Sequence, residues 1–190
     1  MGCNAGQAFC QLSMIKDVAI VNHAPVGCSG DFFGFNFTYR VEQVKRNLPP
    51  AIGRYFSTCI EEKDTVFGAV KKLEDTVREA YKRVNPSAIF VTTSCASGII
   101  GEDIESVVES LSDELKIPVV SCSCEGFRSR IWTTGFDAAY HSVLRKIVKP
   151  PTKKTNKVNI PNFWGSHIFD DLLRRLGYEA QYICLLYTSP

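Results

Sequence analysis

The sequence has little of what marks a membrane protein or a nucleic-acid-binding protein. No apolar run approaches the roughly 20 residues that a membrane-spanning helix needs. The 22 Lys and Arg residues are nearly balanced by 20 Asp and Glu residues, and charges of both signs are mixed along the chain, so no basic patch is predicted. The N-terminus also lacks the charged-then-apolar order of a signal peptide. We therefore expect a cytoplasmic protein that binds neither nucleic acid nor a membrane.

Cysteine, in contrast, is abundant, with eight in 190 residues. A disulfide scaffold is the first explanation, but a chain of this length with 45% hydrophobic residues needs none, and nothing marks it as secreted. In a cytosolic protein, several cysteines indicate metal, cluster or redox chemistry, or simply buried thiols. The eight are Cys3, Cys10, Cys28, Cys59, Cys95, Cys122, Cys124 and Cys184.

One cysteine stands where a ligand site is expected. The apolar run Ala88–Val91 predicts a buried strand, and a helical spacing of apolar residues begins after Gly101–Asp103. Cys95 lies between them, in a small-residue loop at the carboxyl end of the strand. In open α/β sheets ligands bind at this edge, and the amides at the start of a helix favour a thiolate.

Two other predicted strands end in cysteine-bearing loops. Val18–Val21 runs into a loop with Cys28, and Ile117–Val120 runs into a loop with Cys122 and Cys124. Strands that alternate with helices predict an α/β fold with a Rossmann-like parallel sheet and helices on both of its faces.

The composition also predicts a domain boundary. Residues 1–150 are expected to form a first α/β domain that carries the cysteine loops. Lys149–Lys157 is rich in Pro, Thr and Lys, as linkers are, and residues 151–184 are expected to hold the linker and the truncated start of a second α/β domain. Residues 185–190 resemble a translated sequencing adaptor, so we interpret them as the artefactual tail of a fragment.

Three further elements are predicted within the first domain. The periodicity indicates one helix from Asp64 to about Val84, with Phe67 on its apolar stripe. Tyr55–Ile60 is a predicted strand, and Cys59 within it is interpreted as structural. Another helix is predicted from about Phe136 to Val148.

Four stretches resemble motifs of the nitrogenase component 1 family, in the order and at the spacing of that family. His23–Cys28 resembles HGPVGC, and Ser123–Arg128 resembles SCEGFR, which points to the α-type subunit and its relatives. Glu62–Leu73 resembles KDVVFGGEKKL, and Thr93–Ile104 resembles STCPVGLIGDDI. The resemblance runs from about Cys3 to Ile183, so the chain is identified as an N-terminal fragment of a component 1-type protein.

The resemblance implies that three cysteines hold an iron–sulfur cluster, P-cluster-like or of the 4Fe–4S type, at the interface with a homologous β-type subunit in a heterotetramer. The matching positions are Cys3, Cys28 and Cys95. The strand-end placement of Cys28 and Cys95 agrees with this, since thiolates are the usual ligands of such clusters, whereas Cys3 rests on the resemblance alone. The alternative is three unrelated buried thiols.

The resemblance further implies cofactor-binding and docking positions. Phe67 and Ile100 are expected in an apolar docking surface for an ATP-dependent iron–sulfur reductase, the iron protein. An iron–molybdenum-type or other metal cofactor is expected in the full-length protein. The expected cofactor-binding positions are His23, Pro25, Gly27, Gly126 and Arg128.

The departures from the family concern the substrate site. Asn36 lies where the molybdenum enzyme has an Arg, and Trp132 and Phe136 lie where it has a Gln and a His. The family's cofactor-ligating Cys and His lie further along than this chain extends, and Cys184 is not assigned that role. No catalytic residue is therefore predicted.

Three functions compete. The first is a nitrogenase-like oxidoreductase subunit that takes electrons from the reductase through the interface cluster to reduce a substrate, and that is inactive as a fragment. The second is a scaffold on which an iron–molybdenum cofactor is assembled, without turnover of its own. The third is a periplasmic-binding-like α/β domain with incidental cysteines, against which the missing secretion signal and the cysteine loops argue. The missing half of the protein holds the features that separate the first two.

Overall fold

The computed structural model of the chain describes residues 3–13, 15, 17–30, 54–131, 133–150, 152–161 and 169–183. The strands of its main sheet are β1 (Val18–His23), β2 (Tyr55–Ser57), β3 (Ala88–Thr93) and β4 (Val119–Cys122). The sheet is parallel throughout, in the order β2-β1-β3-β4. All residues of the central strands β1 and β3 are buried, as expected where helices cover both faces. This architecture confirms the predicted α/β fold.

Helices lie on both faces of the sheet. The α-helices of the described residues are α1 (Asn4–Leu12), α2 (Asp64–Phe67), α3 (Val70–Val84), α4 (Cys95–Ile100), α5 (Ile104–Leu115), α6 (Thr134–Lys146) and α7 (Asp170–Arg175). Side chains alternate along a strand, so Ile20 faces an apolar core formed with α1 and α6, while Val21 faces a second core formed with α3 and α5.

The single helix predicted over Asp64–Val84 is in fact two helices. α2 ends at Phe67, and Gly68 adopts a left-handed backbone with φ +87°, which side chains of L residues disfavour. The break turns α2 away from the apolar stripe of α3, whose buried positions begin at Leu73. Phe67 is consequently 86% exposed, and its predicted place on the stripe is wrong.

Three other boundaries differ from the expectation. No element is predicted over α1, although its polar residues Asn4, Gln7 and Gln11 recur at helical spacing; all three are buried, so they form no solvated face. β2 ends at Ser57, so Cys59 lies outside the strand, exposed and in a left-handed conformation with φ +50°. Cys95 begins a short helix rather than lying in a loop.

A second, two-stranded parallel sheet consists of β5 (Lys157–Pro161) and β6 (Glu179–Ile183). With α7 between them in sequence, the strands form the strand–helix–strand unit predicted after the linker, while the domain boundary near residue 150 stays a prediction. Cys184 and the predicted tail 185–190 lie outside the described residues. No helix within the described ranges has the length and apolar character needed to cross a membrane.

Candidate metal-cluster site

Two of the predicted cysteine loops meet at the carboxyl edge of the sheet. His23, the last residue of β1, lies opposite Thr93, the last residue of β3. Cys28 lies in a 3-10 turn (Val26–Ser29) shortly after β1, and Cys95 lies two residues after β3 as the first residue of α4. The parallel register thus places both cysteine segments at one edge of the sheet.

Buried hydrogen bonds hold the Cys28 turn against the sheet. The side-chain amide of Asn22 donates to the Ser29 hydroxyl at 3.0 Å and to the Cys28 carbonyl at 3.4 Å. Its amide oxygen accepts from the Thr92 hydroxyl at 3.1 Å. Because these groups are buried and paired, moving the turn would leave polar atoms unsatisfied, which costs free energy.

The Cys95 helix is fixed by its own cap. Ser94 accepts a hydrogen bond from the N–H of Ser97, and the Ser97 hydroxyl accepts from the N–H of Ser94, a capping box. The Ser94 hydroxyl also donates to the carbonyl of His23 at 3.0 Å. The start of α4, and Cys95 with it, is therefore tied to the end of β1.

Cys3 is positioned by the packing of α1 on α6. Cys3 is exposed and has extended backbone immediately before α1. A Cβ at Gly135 of α6 would lie 2.1 Å from the carbonyl oxygen of Asn4, far inside van der Waals contact. Only glycine permits this approach, so Gly135 determines where α1 begins and where Cys3 lies.

Gly126 brings two of the thiols together. A Cβ at Gly126 would lie 3.2 Å from Cys95 Sγ and 3.3 Å from Cys3 Sγ. Both sulfurs therefore border the space beside Gly126 that a side chain would fill, although the two cysteines are far apart in the sequence. A side chain at this position would crowd both of them.

Cys28 completes the group of three thiols, which we call the thiol group. Burial raises the pKa of Cys28, and negative charge on Cys3 and on Cys95 raises it further, an effect that operates only at short range. Three thiolates so close together repel one another, so they are stable as thiolates only where positive charge is supplied among them.

The donor set fits an iron–sulfur cluster better than a single metal ion. A single zinc ion holds thiolate sulfur at about 2.3 Å, and across the described ranges no three Cys, His, Asp or Glu side chains are placed to hold one ion. The irons of a cluster each take their own thiolate, so the ligands lie further apart. Cys3 and Cys28 are exposed and Cys95 is half-buried, which leaves room for a bulky group.

The predicted cofactor-binding residues have different surroundings. His23 is fully buried, and its ring nitrogens contact Thr58 and Glu102, so both are occupied within the chain. Gly126 contacts the thiol group, as described above. Arg128 is exposed, and its Nε lies 2.7 Å from a buried oxygen of Glu125, an ion pair without hydrogen-bond geometry.

The remaining two predicted positions lie beside Cys28. Pro25 is half-buried and precedes the 3-10 turn. Gly27 is exposed, and a Cβ there would meet nothing within 4 Å. The described chain therefore does not itself require glycine at this position, and close approach of a ligand to the backbone stays the predicted reason for it.

The predicted docking residue Phe67 lies in an exposed apolar surface. Val66 and Phe67 of α2 are 77% and 86% exposed, and Ile99 of α4 is 79% exposed. α2 and α4 contact each other, and we call these three side chains the apolar patch. Ile100 is half-buried, so its neighbour Ile99, which the sequence analysis missed, is the surface residue of this pair.

Two other cysteines form a buried pair at the end of β4. The Cys124 thiol donates to the Thr93 carbonyl at 3.3 Å, and its N–H donates to the Thr93 hydroxyl at 3.0 Å. A hydrogen bond with Cys122 and burial raise the pKa of Cys124, so it is present as a thiol. The prediction that Cys122 is not a ligand stays open, as does the same prediction for Cys59.

Sequence reasoning also missed Glu102, which contacts His23 and the start of α3. Its partners lie more than thirty positions away in the chain, so no local sequence pattern predicts the contact.

Three residues depart from the expected substrate site of the family. Asn36 and Trp132 lie outside the described residues, and Phe136 is half-buried in α6.

The chain matches one family along nearly its whole length. The family model described as nitrogenase component 1 type oxidoreductase matches residues 3–189. The nitrogenase molybdenum-iron protein alpha chain of Clostridium pasteurianum is 33% identical over 188 residues, which cover 94% of this chain and 35% of that protein. The nitrogenase iron-molybdenum cofactor biosynthesis protein NifE of Nostoc sp. is 32% identical over 126 residues, 66% of this chain and 25% of that protein.

Solved structures give the same match. Nitrogenase Cp1 at pH 6.5 aligns with a TM-score of 0.71 and 28% sequence identity, over 98% of this chain and 38% of that chain. The chain therefore spans about a third of the length of the curated relatives that it matches.

Proposed function

The chain belongs to the nitrogenase component 1 type oxidoreductase family, and we propose that the protein of which it forms part is an electron-accepting subunit of a nitrogenase-like reductase. Cys3, Cys28 and Cys95 hold an iron–sulfur cluster at the interface with a homologous β-type subunit. When bound, the cluster supplies one-electron chemistry between an ATP-dependent iron protein and a substrate site elsewhere in the full-length protein.

The observation that carries this proposal is the contact of Gly126 with two thiols. This contact supports the binding of one cluster by both cysteines. Cys3 and Cys95 come from distant segments, yet both sulfurs lie within 3.3 Å of the position that a Cβ at Gly126 would take. Burial is the main cause of the raised pKa of Cys28, but negative charge on Cys3 and on Cys95 also contributes, which supports its membership in the same group. The irons of a cluster supply the positive charge that three neighbouring thiolates require.

The chain's own residues have two tasks in this function. The hydrogen bonds of Asn22 and Ser94 hold the cysteine segments in place, so the ligands need little reorganisation when the cluster changes charge. The apolar patch, at Val66, Phe67 and Ile99, binds the iron protein, because large exposed apolar side chains on two helices that contact each other suit an interaction site. We place the assembled protein in the cytoplasm, where thiols stay reduced.

A second function, assembly of an iron–molybdenum cofactor on a scaffold, is favoured by a specific finding. Relatives named as cofactor biosynthesis proteins are about as similar to this chain as those named as enzyme subunits, at 32% identity for one of them against 33%. Both functions use the same thiol group, so the proposal for Cys3, Cys28 and Cys95 does not depend on the choice.

The ligand assignment is tested by iron analysis of the full-length protein with its β-type subunit, purified without oxygen. Cys95→Ala is expected to lose most of the iron and visible absorption of the interface cluster, because a ligand thiolate is removed. Cys59→Ala and Cys122→Ala are the matched controls and are expected to keep both. Full iron in Cys95→Ala together with depletion in either control would contradict the assignment.

The same preparation separates the two functions. An enzyme continues to consume electrons from the iron protein and MgATP after its own metal centres are reduced. A scaffold stops after they are reduced, and it transfers an iron–molybdenum cofactor to a cofactor-free component 1 protein. Continued consumption without cofactor transfer supports the enzyme, and the reverse supports the scaffold.

A further inference from the structure

Glu102 connects three segments of the fold through one carboxylate. Its Oε1 accepts hydrogen bonds from the N–H of Ala69 at 2.5 Å and of Val70 at 3.0 Å, at the start of α3. Its Oε2 lies 3.4 Å from Nε2 of His23, at the end of β1. Glu102 also follows α4, the helix that begins with Cys95. The α2–α3 junction, the end of α4 and strand β1 therefore meet at this side chain.

The ring of His23 is held in one tautomer. A carboxylate only accepts hydrogen bonds, so the proton of the neutral ring lies on Nε2, facing Glu102. Nδ1 then accepts from the Thr58 hydroxyl at 3.1 Å, and the Thr58 oxygen accepts from the N–H of Ala24 at 3.1 Å. Burial lowers the pKa of His23, although Glu102 opposes that effect, so the neutral ring is the expected form.

The backbone of the α2–α3 junction fits closely around Glu102. A Cβ at Gly68 would lie 2.8 Å from Oε1 of Glu102, at a residue whose φ is +87°. Ala69, at the N-terminal cap of α3, has no side-chain acceptor to offer. Glu102 supplies the acceptor that the first N–H groups of this helix lack, and its negative charge suits the positive end of the helix dipole.

The apolar patch lies on both sides of this connection. Val66 and Phe67 are the two residues before Gly68, and Ile99 lies three residues before Glu102. Glu102 thus fixes the exposed residues of α2 relative to those of α4. α2 is one helical turn long and its last two side chains are exposed. Its start is anchored by the buried carboxylate of Asp64, which contacts Lys72 of α3 at 2.6 Å, whereas Glu102 holds the end of the junction that follows Phe67.

We propose that Glu102 is a positioning residue for the docking of the iron protein, because it holds the α2 half of the apolar patch in place relative to α4. This inference rests on the proposed function, in which the apolar patch binds the iron protein. Without Glu102, the Asp64–Lys72 contact remains, but the N–H groups of Ala69 and Val70 lose their acceptor, so the end of α2 at Phe67 must be ordered when the partner docks. Ordering a segment on binding weakens affinity but leaves the cysteine ligands unchanged.

The test measures cluster reduction in the full-length protein with its β-type subunit, at varied concentrations of the iron protein with MgATP. Glu102→Ala is expected to raise the half-saturating concentration of iron protein about tenfold, which corresponds to about 1.4 kcal/mol. Its iron content and limiting rate are expected to stay within about twofold of the wild type. Glu102→Gln should recover most of the affinity, because its amide oxygen still accepts from Ala69 and Val70. Its NH2 group then faces Nε2 of His23, so the neutral ring takes the other tautomer and donates from Nδ1 to the Thr58 oxygen.

The matched control is Asp103→Ala. Asp103 caps α5 through Ser106, with contacts of 3.2 Å to its N–H and 2.6 Å to its hydroxyl, so its loss also removes a helix cap but touches neither half of the apolar patch. The half-saturating concentration is expected to stay at the wild-type value. An equal rise in both variants would assign the effect of Glu102 to general destabilisation and overturn the proposal.

A double-mutant cycle adds a readout that a purely structural role would not produce. Phe67→Ala should raise the half-saturating concentration on its own, and the double variant with Glu102→Ala should show less than the product of the two effects, because Glu102 acts through the pose of Phe67. Fully multiplicative effects, or an unchanged value in Glu102→Ala, would overturn the proposal. If the iron protein does not reduce the cluster even in the wild-type protein, the proposed function itself fails, and the docking role of Glu102 fails with it.

Discussion

Gly126 is the residue at which an added methyl group would crowd the thiol group. Gly126→Ala places a Cβ 3.2 Å from Cys95 Sγ and 3.3 Å from Cys3 Sγ, closer than ordinary packing allows, so the two sulfurs must separate. We expect the full-length protein with its β-type subunit to lose about half of its cluster iron or more. The thermal midpoint should fall by only about 5 °C, because neither apolar core is touched.

Gly30→Ala is the control for this prediction. Among the described residues, a Cβ at Gly30 would meet the Gly27 carbonyl oxygen at 3.5 Å, which is ordinary contact, and the φ of Gly30 is −60°. This variant should keep its iron. Equal iron loss in both variants, or full iron in Gly126→Ala, would show that Gly126 does not control the distance between the thiols.

The residues of the candidate site differ in how far the sequence predicts them. The positions of Cys28 and Cys95 follow from local order, since each comes soon after a buried strand and the carboxyl ends of parallel strands share an edge. The contacts of Gly126 and Glu102 join segments that are distant in the chain, and no local pattern encodes them. At Cys59, in contrast, a local pattern predicts a strand that is absent, because the stretch has strand-like residues but Cys59 itself takes a left-handed backbone conformation.

At the scale of elements, the packing of α1 on α6 depends on Gly135. Gly135→Ala would place a Cβ 2.1 Å from the Asn4 carbonyl oxygen and 2.9 Å from the Cβ of Gln7, so α1 and α6 must move apart. Overpacking of this kind destabilises by about 1–3 kcal/mol, and it also displaces Cys3. We expect a lower midpoint of thermal unfolding and a loss of cluster iron, both measured on the full-length protein with its β-type subunit.

Leu144→Ala provides the comparison on the same helix. Leu144 is 48% exposed, and alanine has high helix propensity, so both the midpoint and the iron content should change little. If Gly135→Ala behaves like Leu144→Ala, the close approach of the two helices is not required for the position of Cys3.

Helices and strands could be predicted where apolar residues recur at a regular spacing or form a continuous run in the sequence. β1 and β3 are fully buried and begin with the apolar runs Val18–Val21 and Ala88–Val91, and α5 has a regular apolar stripe. Apolar periodicity predicts α2 and α3 as one continuous helix. The break between them depends on the backbone of Gly68 and on the carboxylate of Glu102 that lies against it. α1 was missed although Asn4, Gln7 and Gln11 have a helical spacing, because these polar residues are buried rather than solvated.

At the scale of the whole molecule, the chain presents two surfaces that suit partners. Cys3 and Cys28 are exposed beside half-buried Cys95, and Val66, Phe67 and Ile99 form the apolar patch. The two surfaces differ in chemistry, and helix α4 contributes to both, through Cys95 and Ile99. In the proposed function, the β-type subunit covers the thiol group and the iron protein covers the apolar patch.

Alkylation tests this arrangement without requiring activity. In the cluster-free full-length protein without its β-type subunit, iodoacetamide at about pH 9, where thiols ionise, should modify Cys3, Cys28 and Cys59, because all three are exposed. In the assembled, cluster-containing protein, Cys3 and Cys28 should be protected while Cys59 still reacts, as peptide mass spectrometry would show. Undiminished labelling of Cys3 and Cys28 after assembly would contradict both their role as ligands and their place at the interface. The cysteines expected to resist in both states, because they are buried, are Cys10, Cys122 and Cys124.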